Sequence, residues 1–214
     1  MIKRIFILLF WLAFFGFFLY KYIPNVWNYT TKGFPPNAGN TWLSNRLWFA
    51  LHIGTGVFVY AIGIIQFTSA IRNRYVKLHR FLGKIYIAAS LIVILTLAFM
   101  IPGGLCKPCK ISHSIVTSLW LIFVLLAYYF IRRRNIVFHR RMMISSFICA
   151  AYFVTVRVID RFTMPFFYSI TKTEDQALLV SDISVWLLPL AVFWSYWLWT
   201  DKKKSKIIII QPEK

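Results

Sequence analysis

The chain has 214 residues, of which 59% are hydrophobic, 19% aromatic and only 14% charged, and its formal net charge is +19. A soluble domain of this length carries about a quarter charged residues, so the composition excludes an ordinary water-soluble fold. Apolar runs of roughly 20 residues recur, each long enough to cross a hydrocarbon core of ~30 Å as a helix. The connections between them are short, so residues 1–214 read as a single all-α membrane domain, a bundle of six transmembrane helices.

The first span, Ile5–Ile23, follows Lys3 and Arg4. Its core is packed with Phe, Trp and Tyr and offers no small-residue cleavage site, which predicts a retained helix rather than a signal peptide. Pro24, Pro35 and Pro36 with Gly33 and Gly39 then predict a loop. Span two, Leu47–Ile71, carries His52, Gly56, Val59, Gly63 and Gln66 at alternating steps of four and three. That spacing keeps all five on one face, and glycine there lets a backbone or a flat macrocycle approach closely. Span three, Leu78–Ile101, repeats the idea with His79, Gly83 and Tyr86. Span four, Ile111–Ile131, opens on His113. Span five, Ile136–Ile159, holds His139 and, 18 residues later on the same face, Arg157, roughly 27 Å along the axis. Span six is Leu178–Thr200, and the tail KKKSKIIIIQPEK behind it is expected to lie disordered or along the membrane surface.

Cations gather in alternate connections. Lys3, Arg4, Arg72, Arg74, Lys77, Arg80, Lys84, Arg132, Arg133, Arg134, Arg140, Arg141, Lys202, Lys203, Lys204, Lys206 and Lys214 put 17 of the 25 on one side. Cation bias in short loops sets orientation, so both termini are expected in the cytoplasm, with the chain in the inner (cytoplasmic) membrane. The basic excess is accounted for by topology and anionic headgroups, not by nucleic acid.

Polar residues inside a span are costly and point into the bundle. The chain's four histidines fall one each on spans two to five, His52 and His113 toward one face and His79 and His139 toward the other. Facing imidazoles on neighbouring helices are what both axial positions of haem iron require. The expectation is therefore one or two b-type haems, with His52 and His113 ligating one iron and His79 and His139 the other. Arg80, Lys84, Arg140 and Arg141 at one face and Arg157 at the other stand ready for propionates. Gln66 lies at the His79 level, and Gly56 and Gly83 leave room for the ring. Zinc or copper fits less well, because no Cys, Asp or Glu is expected near these histidines to complete a set.

The order of one histidine per central helix resembles the ascorbate-reducing transmembrane cytochrome b family, six-helix proteins that pass electrons between two haems. The stretches HIGTGVFVYAIGIIQF (52–67), LHRFLGKIY (78–86) and FHRRMMISSFICAAYFVTVR (138–157) resemble the bacterial membrane proteins of domain-of-unknown-function family 2306. That resemblance covers most of residues 45–200 and implies a multi-helix membrane protein without assigning an activity. His52, Gln66, His79, Arg80, Gly83, Tyr86, His139, Arg140, Met142 and Arg157 fit its motif.

Cys106 and Cys109 precede span four on the face opposite the cation-rich one, where a pair is free to oxidise; a small structural disulfide is expected, with a thiol–disulfide redox role as the alternative. Covalent haem attachment is not, because Lys110 stands where that motif requires His. Cys149, mid-span, reads as a packing residue. Trp27, Trp42, Trp48, Tyr75 and Trp199 read as interfacial anchors. No phosphate loop, nucleophile elbow or HExxH motif is present. The functional expectation is a membrane haem protein exchanging electrons with a donor and an acceptor, and the alternative is a non-redox transporter, channel or assembly factor. Asp182 is the one carboxylate expected inside a span, which counts against a cation-coupled transporter.

Overall fold

The computed structural model describes residues 2–32, 46–102 and 107–210, and among them it contains helices and no strand. Seven helices follow one another in these residues: α1 (Ile2–Lys32), α2 (Arg46–Gln66), α3 (Ser69–Arg74), α4 (Val76–Met100), α5 (Cys109–Arg132), α6 (Ile136–Ile170) and α7 (Glu174–Ile210). Within α2, α4, α5, α6 and α7 lie five stretches long and apolar enough to cross a membrane, and α1 holds a shorter apolar stretch at Leu9–Tyr20. Helix is the form such segments must take in lipid, because it satisfies each backbone N–H and C=O within the segment.

Four helices form the core. In the ring α2–α4–α5–α6 each member packs on the next, which leaves α2 and α5, and α4 and α6, as the two diagonals. Cross-helix contacts fix the directions. Gln66 meets His79 and His52 meets Thr96, so α2 and α4 are antiparallel. Ala127 meets His139, and α5 and α6 are antiparallel too. α7 packs along α6 and α5: it pairs Ser145 with Trp194 and Arg141 with Asp201, and runs parallel to α5 where Trp186 meets Ser112. α1 lies outside the ring on α2 and α6, with Phe15 stacked on Tyr60 at 4.3 Å between centroids. The bundle therefore has a His79 end, with Gln66, His139, Arg141 and Asp201, and a His113 end, with His52, Thr96, Arg157, Asp160 and Asp182.

The α5–α6 turn shows how local sequence sets the register. Arg134 adopts φ 57°, Asn135 N–H returns to Phe130 O at 2.9 Å, and Arg134 N–H returns to Ile131 O at 3.0 Å. These are the paired returns of a left-handed helix cap. Asn135 then accepts from Phe138 N–H and starts α6, so His139 enters one turn into the bundle beside Ala127.

Packing in the core is aromatic and small-residue at once. Trp120, Tyr86 and Tyr152 are fully buried, while Ala89, Ala127, Ala150, Ser90, Ser112, Ser145 and Ser146 let helices close on one another. Gly63 is required by this packing: a Cβ there would run into the Phe147 ring.

Several boundaries differ from the sequence expectation. Span two was expected to run to Ile71, but α2 stops at Gln66, Thr68 turns extended, and α3 is a separate helix. Gln66 spends its side chain on the His79 carbonyl, which ties the end of α2 to the start of α4. Pro24 does not open the first loop but lies inside α1, which continues to Lys32. α7 begins at Glu174 and stays helical through Ile210, so the start of the tail extends a helix.

Candidate functional site

The histidines fall two to each end of the bundle. At one end, His79 sits on the first turn of α4 and His139 on the first turn of α6, the diagonal pair of helices. His139 lies within electrostatic range of His79. His139 Nδ1 lies 2.8 Å from Ala127 O. A carbonyl only accepts, so Nδ1 carries the proton and Nε2 is left as the uncommitted nitrogen. His79 Nδ1 is buried with no hydrogen-bond partner. One turn deeper, a Cβ on Gly83 would meet only Gln66 Nε2, at 4.0 Å. Beyond Gly83 the same diagonal closes, where the buried Tyr86 hydroxyl lies 3.0 Å from Ser146 Oγ.

Arg80 and Arg140 flank these histidines and are exposed. Arg141, expected beside them as a cation for the site, is committed elsewhere. Its guanidinium takes both oxygens of Asp201 at 2.7 and 2.8 Å and stacks 4.4 Å over the Trp197 ring. It is buried against α7, a helix whose position the local pattern of α6 does not specify.

At the other end the two histidines face different partners. His52 Nδ1 lies 2.9 Å from Thr96 Oγ1 on α4. His113 Nε2 lies 3.9 Å from Asp182 Oδ1 on α7, and its ring stacks on Phe153 at 5.8 Å and 15°. Arg157 stands within electrostatic reach of both histidines, of Tyr152 and of Asp160. A cavity of about 80 Å³ lies on the His52 side, lined among others by Gly56, Val93, Trp120, Phe153 and Phe18. Gly56 opens onto empty space, with nothing within 4 Å of a Cβ placed there.

One sequence expectation is corrected here. No carboxylate was expected near the histidines, yet Asp182 is 3% exposed and faces His113. The two are far apart in sequence, and only the parallel packing of α7 on α5 brings them to one level. Asp160 joins the same cluster, accepting from Ser181 Oγ at 2.6 Å, and Trp186 donates to Ser112 beside it at 2.9 Å. Asp160, Ser181, Ser112, Tyr152 and Thr96 had not been singled out. The available signal was the rarity of carboxylates in apolar runs, which marked Asp182 alone.

Among the described residues no three His, Cys, Asp or Glu side chains converge to hold a bare metal ion. A histidine pair would suit a haem, whose macrocycle supplies the four other iron ligands. The His79–His139 end offers features such a group would need: histidines on the first turns of diagonal helices, an unpartnered ring nitrogen, and open space beside Gly83. Cys109 is disulfide-bonded, Cys149 is free and buried, and Cys106 lies outside the described residues, as does Trp42.

No curated protein and no solved structure matches the chain. A family model described as "Predicted membrane protein (DUF2306)" matches residues 49–197, a stretch that holds all four histidines, Asp160 and Asp182. The chain thus belongs to this family of predicted membrane proteins, and it is a multi-pass helical member of it.

Proposed function

We propose that the protein holds a b-type haem between His79 and His139 and carries electrons within the membrane. The observation that carries this reading is the pair itself: two histidines on the first turns of diagonally opposed helices, within electrostatic range of one another, beside a glycine that leaves open space. When bound, the haem supplies one-electron chemistry. The chain's own residues hold and orient it: Ala127 O fixes the His139 tautomer, and Arg80 and Arg140 offer bidentate contacts to propionates or to an anionic partner. His52 and His113 are not part of this proposal, because their rings are turned to Thr96 and Asp182. The test is an absorption spectrum of full-length protein purified from haem-replete cells. A Soret band with the split visible bands of low-spin iron is the expected result, and a spectrum without a Soret band would falsify the haem.

A non-redox reading, as a transporter or channel, draws its own support from Asp160 and Asp182. Carboxylates inside a span mark ion or proton pathways. The same spectrum separates the two readings.

The proposed topology has six spans, α1 crossing with the five longer apolar helices, and the His79 end in the cytoplasm of a cell with this protein in its inner membrane. Support comes from the cations crowding that end, Arg80, Lys84 and Arg132 to Arg134 among them. A reporter fused after Lys206 should score cytoplasmic, and one inserted between Thr30 and Asn40 external. Both reporters on one side would remove a span from the count.

A further inference from the structure

We infer that His113 and Asp182 hold an exchangeable proton between them, forming a proton-binding site within the membrane-spanning part of the bundle at the His113 end. Both residues lie inside stretches apolar and long enough to span. Their separation of 3.9 Å exceeds a hydrogen bond but suits an ion pair, or a proton passed through a single water. Asp182 Oδ2 and the Tyr152 hydroxyl are both buried and lie within reach of one another, but neither makes a hydrogen bond of good geometry. Native interiors leave few such groups, and an ionisable one inside a span marks a proton or ion pathway.

The groups around the pair decide what it can bind. From α6 come Arg157, Asp160 and Tyr152, each in electrostatic contact with the cluster. From α2 comes His52, which shares the field of Arg157. Lys110, one turn before His113 on α5, is turned to the Pro102 carbonyl at 2.7 Å. With Arg157 already present, a divalent cation is disfavoured, and the donors do not form a metal set. A proton needs only one basic nitrogen and one carboxylate oxygen. Asp160 supplies the way out: it is partly exposed, it is bonded to Ser181 next to Asp182, and it lies at the end of the spanning part of α6.

Infrared difference spectra between acidic and neutral pH, on full-length protein in lipid nanodiscs, test the site. The expected result is a protonated-carboxyl band that grows on acidification and shifts in D2O. Asp182→Asn should remove it, and Glu174→Gln, an exposed carboxylate at the same end, should retain it. His113→Gln should keep the band but move its pH midpoint by about one unit or more, since the pair no longer shares the proton. If Asp182→Asn fails to fold, Asp182→Glu must move the band's frequency. A band that survives loss of Asp182, a frequency indifferent to Asp182→Glu, a midpoint indifferent to His113, or no pH-dependent carboxyl signal would each overturn the site. The measurement needs no haem, so its outcome and that of the absorption spectrum are independent.

Discussion

Replacing either His79 or His139 by alanine should abolish the low-spin haem spectrum of the purified protein. Both histidines would be needed to hold the proposed haem, so removing either should change its spectrum. Loss of partners merely supporting a metal ligand costs about 10–100-fold in affinity, and loss of the ligand itself should cost at least that. Gly83 offers a second readout that separates haem loss from misfolding. Space beside it is open apart from Gln66 Nε2 at 4.0 Å, so Gly83→Leu should leave the protein folded and still exclude the ring. A spectrum retained in Gly83→Leu, or unchanged by both histidine variants, would place any haem elsewhere.

The second large effect concerns the ion pair that joins α6 to α7. Asp201→Ala should lower stability by about 2 kcal/mol or more, read as the shift in detergent unfolding. Arg141 is 6% exposed and its Nε already lacks a partner, so removing the carboxylate strands a buried cation against Trp197. Breaking a fully buried pair costs ~3–5 kcal/mol. Asp201 is 46% exposed on its side chain, and water takes over part of its role, so the expected loss is discounted. Arg141→Met combined with Asp201→Ala should recover much of the loss, because an apolar side chain of similar length leaves no stranded charge. If Asp201→Ala costs no more than a few tenths of a kcal/mol, the pair behaves as a surface contact and α7 is held by its other contacts.

Both predictions concern residues that were read unequally well from the sequence. His79, His139 and Gly83 were visible because each stands out within its own helix: a polar residue in an apolar run, or a glycine one turn away on the same face. Arg141 is visible as a cation, but its partner is not. Its partner Asp201 lies 60 residues away, and nothing in the period of α6 announces it. The pairing of His113 with Asp182 was missed for the same reason.

What the sequence alone determined is whatever depends on neighbours within a helix. Hydropathy over some 20 residues sets which segments enter a bilayer, since unsatisfied backbone has no solvent there. The His52–Gly56–Val59–Gly63–Gln66 stripe follows from a spacing close to the helical period. Tertiary structure decided the rest. Order around the ring, the rotation of each helix about its axis and the parallel fit of α7 on α5 are set by side-chain packing between distant segments. These made α4 and α6 a diagonal and placed Asp182 on His113. They also turned Arg141 away from the histidines, because a helix's periodicity names its inner face but not the helix that will meet it.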